Sequence, residues 1–169
     1  LMPVDWASGT GGFLARSIGP RLAASRKARR HLEMCFPRHT DTENTDIIRG
    51  MWDNLGRVAA EYPHLKKIAL TRVEMKGDEH IAPLLSGDKQ AILFTGHLAN
   101  WEVPGSFISV KYGMDIDLIY REPNNPWARK LLDHCRKHNE KIRMIAKSHK
   151  GARDTLVAVK EKRNIGILI

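Results

Sequence analysis

Cysteine, aromatic residues, acidic charge and long apolar runs are all scarce in this sequence, and each scarcity excludes something. The two cysteines, Cys35 and Cys135, stand far apart without CxxC or zinc-ribbon spacing. That excludes a disulfide framework and a cysteine metal site, and it fits a reducing compartment. The longest apolar runs, Ala91-Ile92-Leu93-Phe94 and Ile165-Gly166-Ile167-Leu168-Ile169, fall well short of the roughly 20 residues that span a bilayer. Aromatics are 7% of the chain, and no RNP-type aromatic strand, KH loop, zinc finger or helix-turn-helix pattern accompanies them. Nucleic acid is therefore not the expected partner.

What is present describes a folding chain. At 169 residues, with 42% hydrophobic and 28% charged side chains, it can bury a real core and is not disordered by composition. It opens with Leu1 and stops inside an apolar run, so it reads as a window from a longer polypeptide. Positive charge is segregated: residues 1–30 hold six basic side chains against one acid, residues 31–120 nine against thirteen, and residues 121–169 thirteen against five. Such asymmetry favours an anionic partner, whether nucleic acid, phospholipid headgroups or an acidic carrier protein.

Between Trp6 and Arg30, small and apolar residues alternate with six Arg and Lys side chains. The pattern predicts amphipathic helices broken at Gly19-Pro20, suited either to a membrane surface or to a solvated face. Phe36-Pro37 closes this segment. Thr40-Asp41-Thr42-Glu43 then has the S/T-x-x-E form that starts a helix, and Ile47, Ile48, Met51, Trp52, Leu55, Val58 and Ala59 recur at helical spacing to about Glu61. From Thr71 the period changes. Short β-type runs at Val73–Met75, Ile81–Leu85, Ala91–Thr95, Asp117–Tyr120, Ile142–Ile145 and from Ile165 alternate with helical stretches through Phe107, over Pro126–His138 and through Val159. The fold class read from this is α/β: a mainly parallel sheet flanked by helices, behind a helical basic N-terminal segment. We divide the chain into that segment, residues 1–40, and an α/β domain over residues 41–169, incomplete at its C-terminus.

In parallel sheets ligands sit beyond the carboxyl ends of strands, which directs attention to Gly96-His97-Leu98-Ala99-Asn100-Trp101-Glu102. A His and a carboxylate five positions apart would diverge by about 140° on a regular helix. They can meet only if His97 precedes the helix. Gly96 permits the sharp exit from the strand, and Glu102 in the first turn can reach back to one ring nitrogen, leaving the other to accept a proton from an alcohol. No Ser or Cys stands in a G-x-S-x-G setting, so the nucleophile would be a substrate hydroxyl. On spacing alone the same residues also read as a turn, with Glu102 favouring the helix N-terminus.

Gly96-His97-Leu98-Ala99-Asn100-Trp101-Glu102 resembles the HxxxxD/E signature of glycerolipid-type acyltransferases, in the form found in the lipid A late acyltransferases of Gram-negative bacteria. Arg30-His31-Leu32 with Phe36-Pro37, Trp52-Asp53-Asn54-Leu55-Gly56 with Glu61, and Tyr120-Arg121 with Asn125-Pro126 resemble three further elements of that family in the same order. Two departures stand out. The family usually carries Gly where Ala99 stands, and its members continue past the final strand and typically begin with a hydrophobic membrane segment.

The resemblance implies an O-acyltransferase that moves a fatty acyl group from an acyl carrier protein thioester to a hydroxyl of a lipid A precursor. It implies His97 as base, Glu102 as its orienting carboxylate, and Arg121 as a ligand for a lipid phosphate or the developing oxyanion. Asn100 and Asn125 complete the expected substrate-binding set, Asn125 chiefly by shaping the turn before Pro126. No metal or nucleotide cofactor is implied. Expected partners are acyl carrier protein, anionic membrane lipid and the lipid A precursor, at the cytoplasmic side of the cell inner membrane. Two alternatives stand beside this reading: a phosphatidylinositol mannoside-type acyltransferase, and a non-catalytic membrane-surface module. His134 and His138, at i and i+4, have metal-ligand spacing, but no third ligand has a place and five Lys and Arg side chains surround them, so they read as a solvated basic face.

Overall fold

The computed structural model describes residues 2–87, 89–123, 126, 129, 130, 132 and 140–169. The chain divides into two compact units, residues 1–61 and residues 62–169.

The first unit is helical. Helix α1 (Val4–Ile18) ends at a 3-10 turn over Gly19–Arg21, where Pro20 occupies an early position that needs no backbone N–H. Helices α2 (Ala23–Cys35) and α3 (Asp41–Glu61) follow, as the Gly19-Pro20 break and the Phe36-Pro37 stop predict. The Thr40 side chain accepts from the Glu43 N–H at 3.3 Å, while the Glu43 carboxylate accepts from the Thr40 N–H at 2.7 Å. This reciprocal pair satisfies donors that the start of α3 would otherwise leave orphaned.

The residues that spell Trp52, Gly56 and Glu61 hold this unit together. Gly11 and Gly56 face each other where α1 crosses α3, and a Cβ at either would overlap the other's carbonyl oxygen. Trp52 donates its indole N–H to Ser25 of α2 at 2.8 Å, and Ser8 of α1 donates to Glu61 at 2.6 Å. Among the described residues no helix is long and apolar enough to cross a membrane.

The second unit is a parallel α/β sheet. Strands β1 (Ile92–Thr95), β2 (Ile116–Tyr120), β3 (Ile142–Ala146) and β4 (Asn164–Leu168) lie in the order β1-β4-β2-β3, every pairing parallel. Helices α4 (Leu65–Thr71), α5 (Ala82–Leu85), α6 (Val103–Tyr112) and α7 (His149–Lys160) accompany them. Ile116, Ile145, Ile165 and Ala158 are buried between sheet and helix, and that apolar burial is the main favourable term in stability.

Two of the short β-type runs take other forms. Val73–Met75 is irregular, and Ala82–Leu85 forms one helical turn with Pro83 near its start. Proline has no ladder donor and its fixed φ suits a first helical turn, so Pro83 decides against a strand. The predicted helix over 126–138 and the pair His134 and His138 lie largely or wholly outside the described residues.

Candidate active site at the carboxyl edge of the sheet

Because all four strands run the same way, their carboxyl ends share one edge. His97 follows β1, Arg121 follows β2, Lys147 follows β3 and Ile169 follows β4. The alternating strand and helix pattern predicts this shared edge. It does not predict that β4 stands between β1 and β2, which places His97 and Arg121 two strand spacings apart, about 10 Å of sheet.

The turn after β1 is tight. The Leu98 N–H donates to the Gly96 carbonyl at 2.8 Å, and Ala99 adopts φ +44°. That left-handed backbone favours glycine, because a Cβ crowds the following carbonyl. Asn100 closes the turn: its side-chain oxygen accepts from the Glu102 N–H at 3.1 Å and its carbonyl accepts from the Val103 N–H at 3.2 Å. The polar atoms of Asn100 thus start α6.

His97 is exposed. Its Nδ1 lies 3.3 Å from the Ile169 carbonyl oxygen, and its ring stands 5.6 Å from that of Trp101, tilted by 54°. A carbonyl can only accept, so in the neutral ring Nδ1 carries the hydrogen and Nε2 presents a lone pair. Ile169 reaches this position because β4 pairs with β1, its N–H donating to Thr95 at 2.9 Å.

Glu102 is half-buried and accepts a 2.7 Å hydrogen bond from the Tyr62 hydroxyl. Tyr62 is itself buried, in a 3-10 turn over Tyr62–His64. Glu102 and His97 thus share the turn, but no hydrogen bond joins their side chains in the structure; each has a different partner. Sequence reasoning missed Tyr62, which stands forty positions from Glu102 in no motif.

Arg121 is exposed at the end of β2. The adjacent Glu122 pairs with Arg129 at 3.3 Å. Asn125 lies outside the described residues. At β3, Ser148 caps α7 by accepting from the Gly151 N–H at 3.0 Å, so the N-termini of α6 and α7 both open toward this edge and favour negative charge there.

The opposite end of the sheet carries a structural ion network. Asp117, fully buried, accepts from Arg143 at 2.7–3.1 Å and from Arg163 at 2.6 Å, and Arg143 also reaches Glu161 at 2.8 Å. The Asp117 hydrogen bonds, with Glu161 contributing after them, hold the Arg143 guanidinium well above its ordinary range. Among the described residues no group of three or more His, Cys, Asp or Glu is placed to hold a metal ion.

Compared with known proteins, residues 1–169 match the family model described as bacterial lipid A biosynthesis acyltransferase. No curated protein matches the chain.

Proposed function

The chain belongs to the bacterial lipid A biosynthesis acyltransferases, and from that membership we propose that it transfers a fatty acyl group from an acyl carrier protein thioester to a hydroxyl of a lipid A precursor, with His97 as general base. The observation that carries the mechanism is the placement of His97 at the carboxyl edge of the sheet, exposed, with Nδ1 3.3 Å from the Ile169 backbone oxygen; in the neutral ring that donates there, Nε2 is the acceptor.

Nε2 takes the proton of the acceptor hydroxyl as its oxygen attacks the thioester carbonyl carbon. The tetrahedral intermediate collapses with cleavage of the carbon–sulfur bond, and the imidazolium returns the proton to the departing thiolate, leaving an ester and a free thiol. Glu102, fixed by Tyr62, supplies negative charge beside the imidazolium that forms. Arg121, exposed at the same edge, takes a phosphate of the acceptor or the oxyanion. Asn100 holds the turn that presents His97.

The partners follow from charge. Residues 121–169 carry thirteen basic side chains against five acids, which suits an acidic carrier protein and raises its encounter rate. The basic N-terminal segment, with Trp6, Phe13 and Ile18 exposed, suits an anionic membrane surface at the cytoplasmic side of the inner membrane.

The test combines the chain with an acyl carrier protein thioester and a lipid A precursor bearing a free hydroxyl, read by mass analysis of the lipid. We expect one added acyl group, lost in His97→Ala. Full turnover by His97→Ala overturns the mechanism, and vesicle binding without thioester cleavage favours a non-catalytic surface module instead.

A further inference from the structure

The helical unit contains a groove that the acyl-transfer chemistry does not use. It has a volume of about 930 Å³ and its lining includes Arg16, Ser17, Arg21, Arg49, Gly50 and Asp53. Three guanidinium groups and one carboxylate therefore border the same space.

Nearby carboxylates neutralise them only in part. Asp53 is already bonded through Oδ2 to the Arg57 guanidinium, a locally balanced pair. Arg16 approaches the other Asp53 oxygen only to 3.7 Å, and Arg49 approaches Asp46 only to 3.9 Å, both beyond hydrogen-bond length. Arg21 donates to the Ser17 carbonyl, covering the negative end of α1, which would otherwise repel an anion. Gly50 keeps the wall low: a Cβ there would meet nothing. Beside the groove the Arg16 guanidinium lies 5.5 Å over the Phe13 ring, and Phe13 and Ile18 are 57% and 58% exposed, an apolar border next to a cationic floor.

We propose that this groove is a binding site for a phosphate monoester dianion. A guanidinium offers a planar fork of donors that matches phosphate oxygens, and Arg16, Arg21, Arg49 and Arg57 outnumber the two carboxylates beside them, Asp46 and Asp53, an excess that an anion between them relieves. The phosphate has two sources: the headgroup of a lipid whose chains follow the Phe13 border, or a free phosphate. The site lies wholly within residues 1–61 and does not rest on the acyl-transfer reading; its test reads binding alone.

The full chain is measured against phosphatidylcholine vesicles containing phosphatidic acid, and against inorganic phosphate by calorimetric titration. Arg49→Gln is the principal variant, because Arg49 is exposed and its ion pair is with Asp46, a neighbour on its own helix, at 3.9 Å; helical circular dichroism and the unfolding midpoint should stay unchanged. We expect Arg49→Gln and Arg16→Gln each to weaken binding about tenfold, the loss of one charge-assisted hydrogen bond. Arg49→Lys, which keeps the charge but not the fork, should fall between. Lys160→Gln, which removes the same charge from an exposed position on α7, should change binding less than about twofold. Loss with phosphatidic acid vesicles identifies a lipid headgroup, and loss with inorganic phosphate a free anion. Equal weakening by Lys160→Gln, or no binding of either probe by the unsubstituted chain, overturns the site.

Discussion

The Tyr62 hydroxyl donates a 2.7 Å hydrogen bond to Oε1 of Glu102, tying the start of the α/β unit to the residue that opens α6. A carboxylate held in this way keeps one orientation at the start of α6, in the same turn that carries His97. Tyr62 is on this account a positioning residue. Tyr62→Phe should lower kcat for acyl transfer by about tenfold with little change in KM, the worth of one hydrogen bond to a charged group. An equal loss confined to KM would show that the bond serves substrate binding instead.

His97 and Glu102 should both be required for turnover. His97→Ala removes the base and is expected to cost at least about a hundredfold in kcat. Glu102→Gln keeps an acceptor for Tyr62 but removes the charge, so the fold should survive while kcat falls by a comparable factor. Single-turnover thioester cleavage, with circular dichroism as the folding control, measures both.

Ala99 occupies φ +44°, where an L side chain costs about 1 kcal/mol or more. Ala99→Gly relieves that strain but adds freedom to the unfolded chain, an opposing cost of about 0.4–1 kcal/mol. The net expectation is stability unchanged or raised by up to about 1 kcal/mol, with activity retained, read from urea unfolding and the acyl-transfer assay. A clear loss of stability would show that the turn does not hold this backbone in solution.

Asp117 faces two arginines from a buried position. Asp117→Asn removes the buried carboxylate that both arginines share, while Arg143 keeps Glu161 and Arg163 keeps Asp115 at 3.1 Å and the Lys141 carbonyl at 3.0 Å. Unfolding free energy should fall by about 2 kcal/mol, the worth of charge-assisted hydrogen bonds lost without leaving either guanidinium unpaired. Equilibrium denaturation measures it, and a change below about 1 kcal/mol would mean the network is no more than a surface ion pair.

Hydrogen bonds from the Thr40 backbone N–H, then from its hydroxyl, hold the Glu43 carboxyl below its ordinary 4.5. A depressed folded value means the stabilisation is complete above 4.5 and disappears as pH falls through the lowered value. Glu43→Gln should therefore be slightly less stable than the parent above 4.5 and converge with it as pH falls through the lowered value. Helical circular dichroism against pH, for both proteins, tests the sign.

Local pattern carried much of the architecture. The Thr40–Glu43 box marks the start of α3 because its two hydrogen bonds span three residues, and the apolar stripe from Ile47 to Ala59 marks its length. The parallel sheet and the turn at His97 were legible for the same reason: strand and helix periods are written in consecutive residues. Where the apolar runs were shortest, at Val73–Met75 and Ile81–Leu85, period alone failed, since three to five residues carry too little pattern to outweigh Pro83 and the lack of a neighbouring strand.

The class of fold, the helix starts and the candidate pair His97 and Glu102 are written in local spacing, because they depend on neighbours a few residues away. What those side chains touch is not. The order β1-β4-β2-β3 brings the Ile169 carbonyl to His97 across 72 positions and separates Arg121 from His97 by a strand. The Tyr62 hydroxyl reaches Glu102 across forty. Such contacts are set by which strands and helices pack together, a choice made by the summed burial of whole elements rather than by any local spacing.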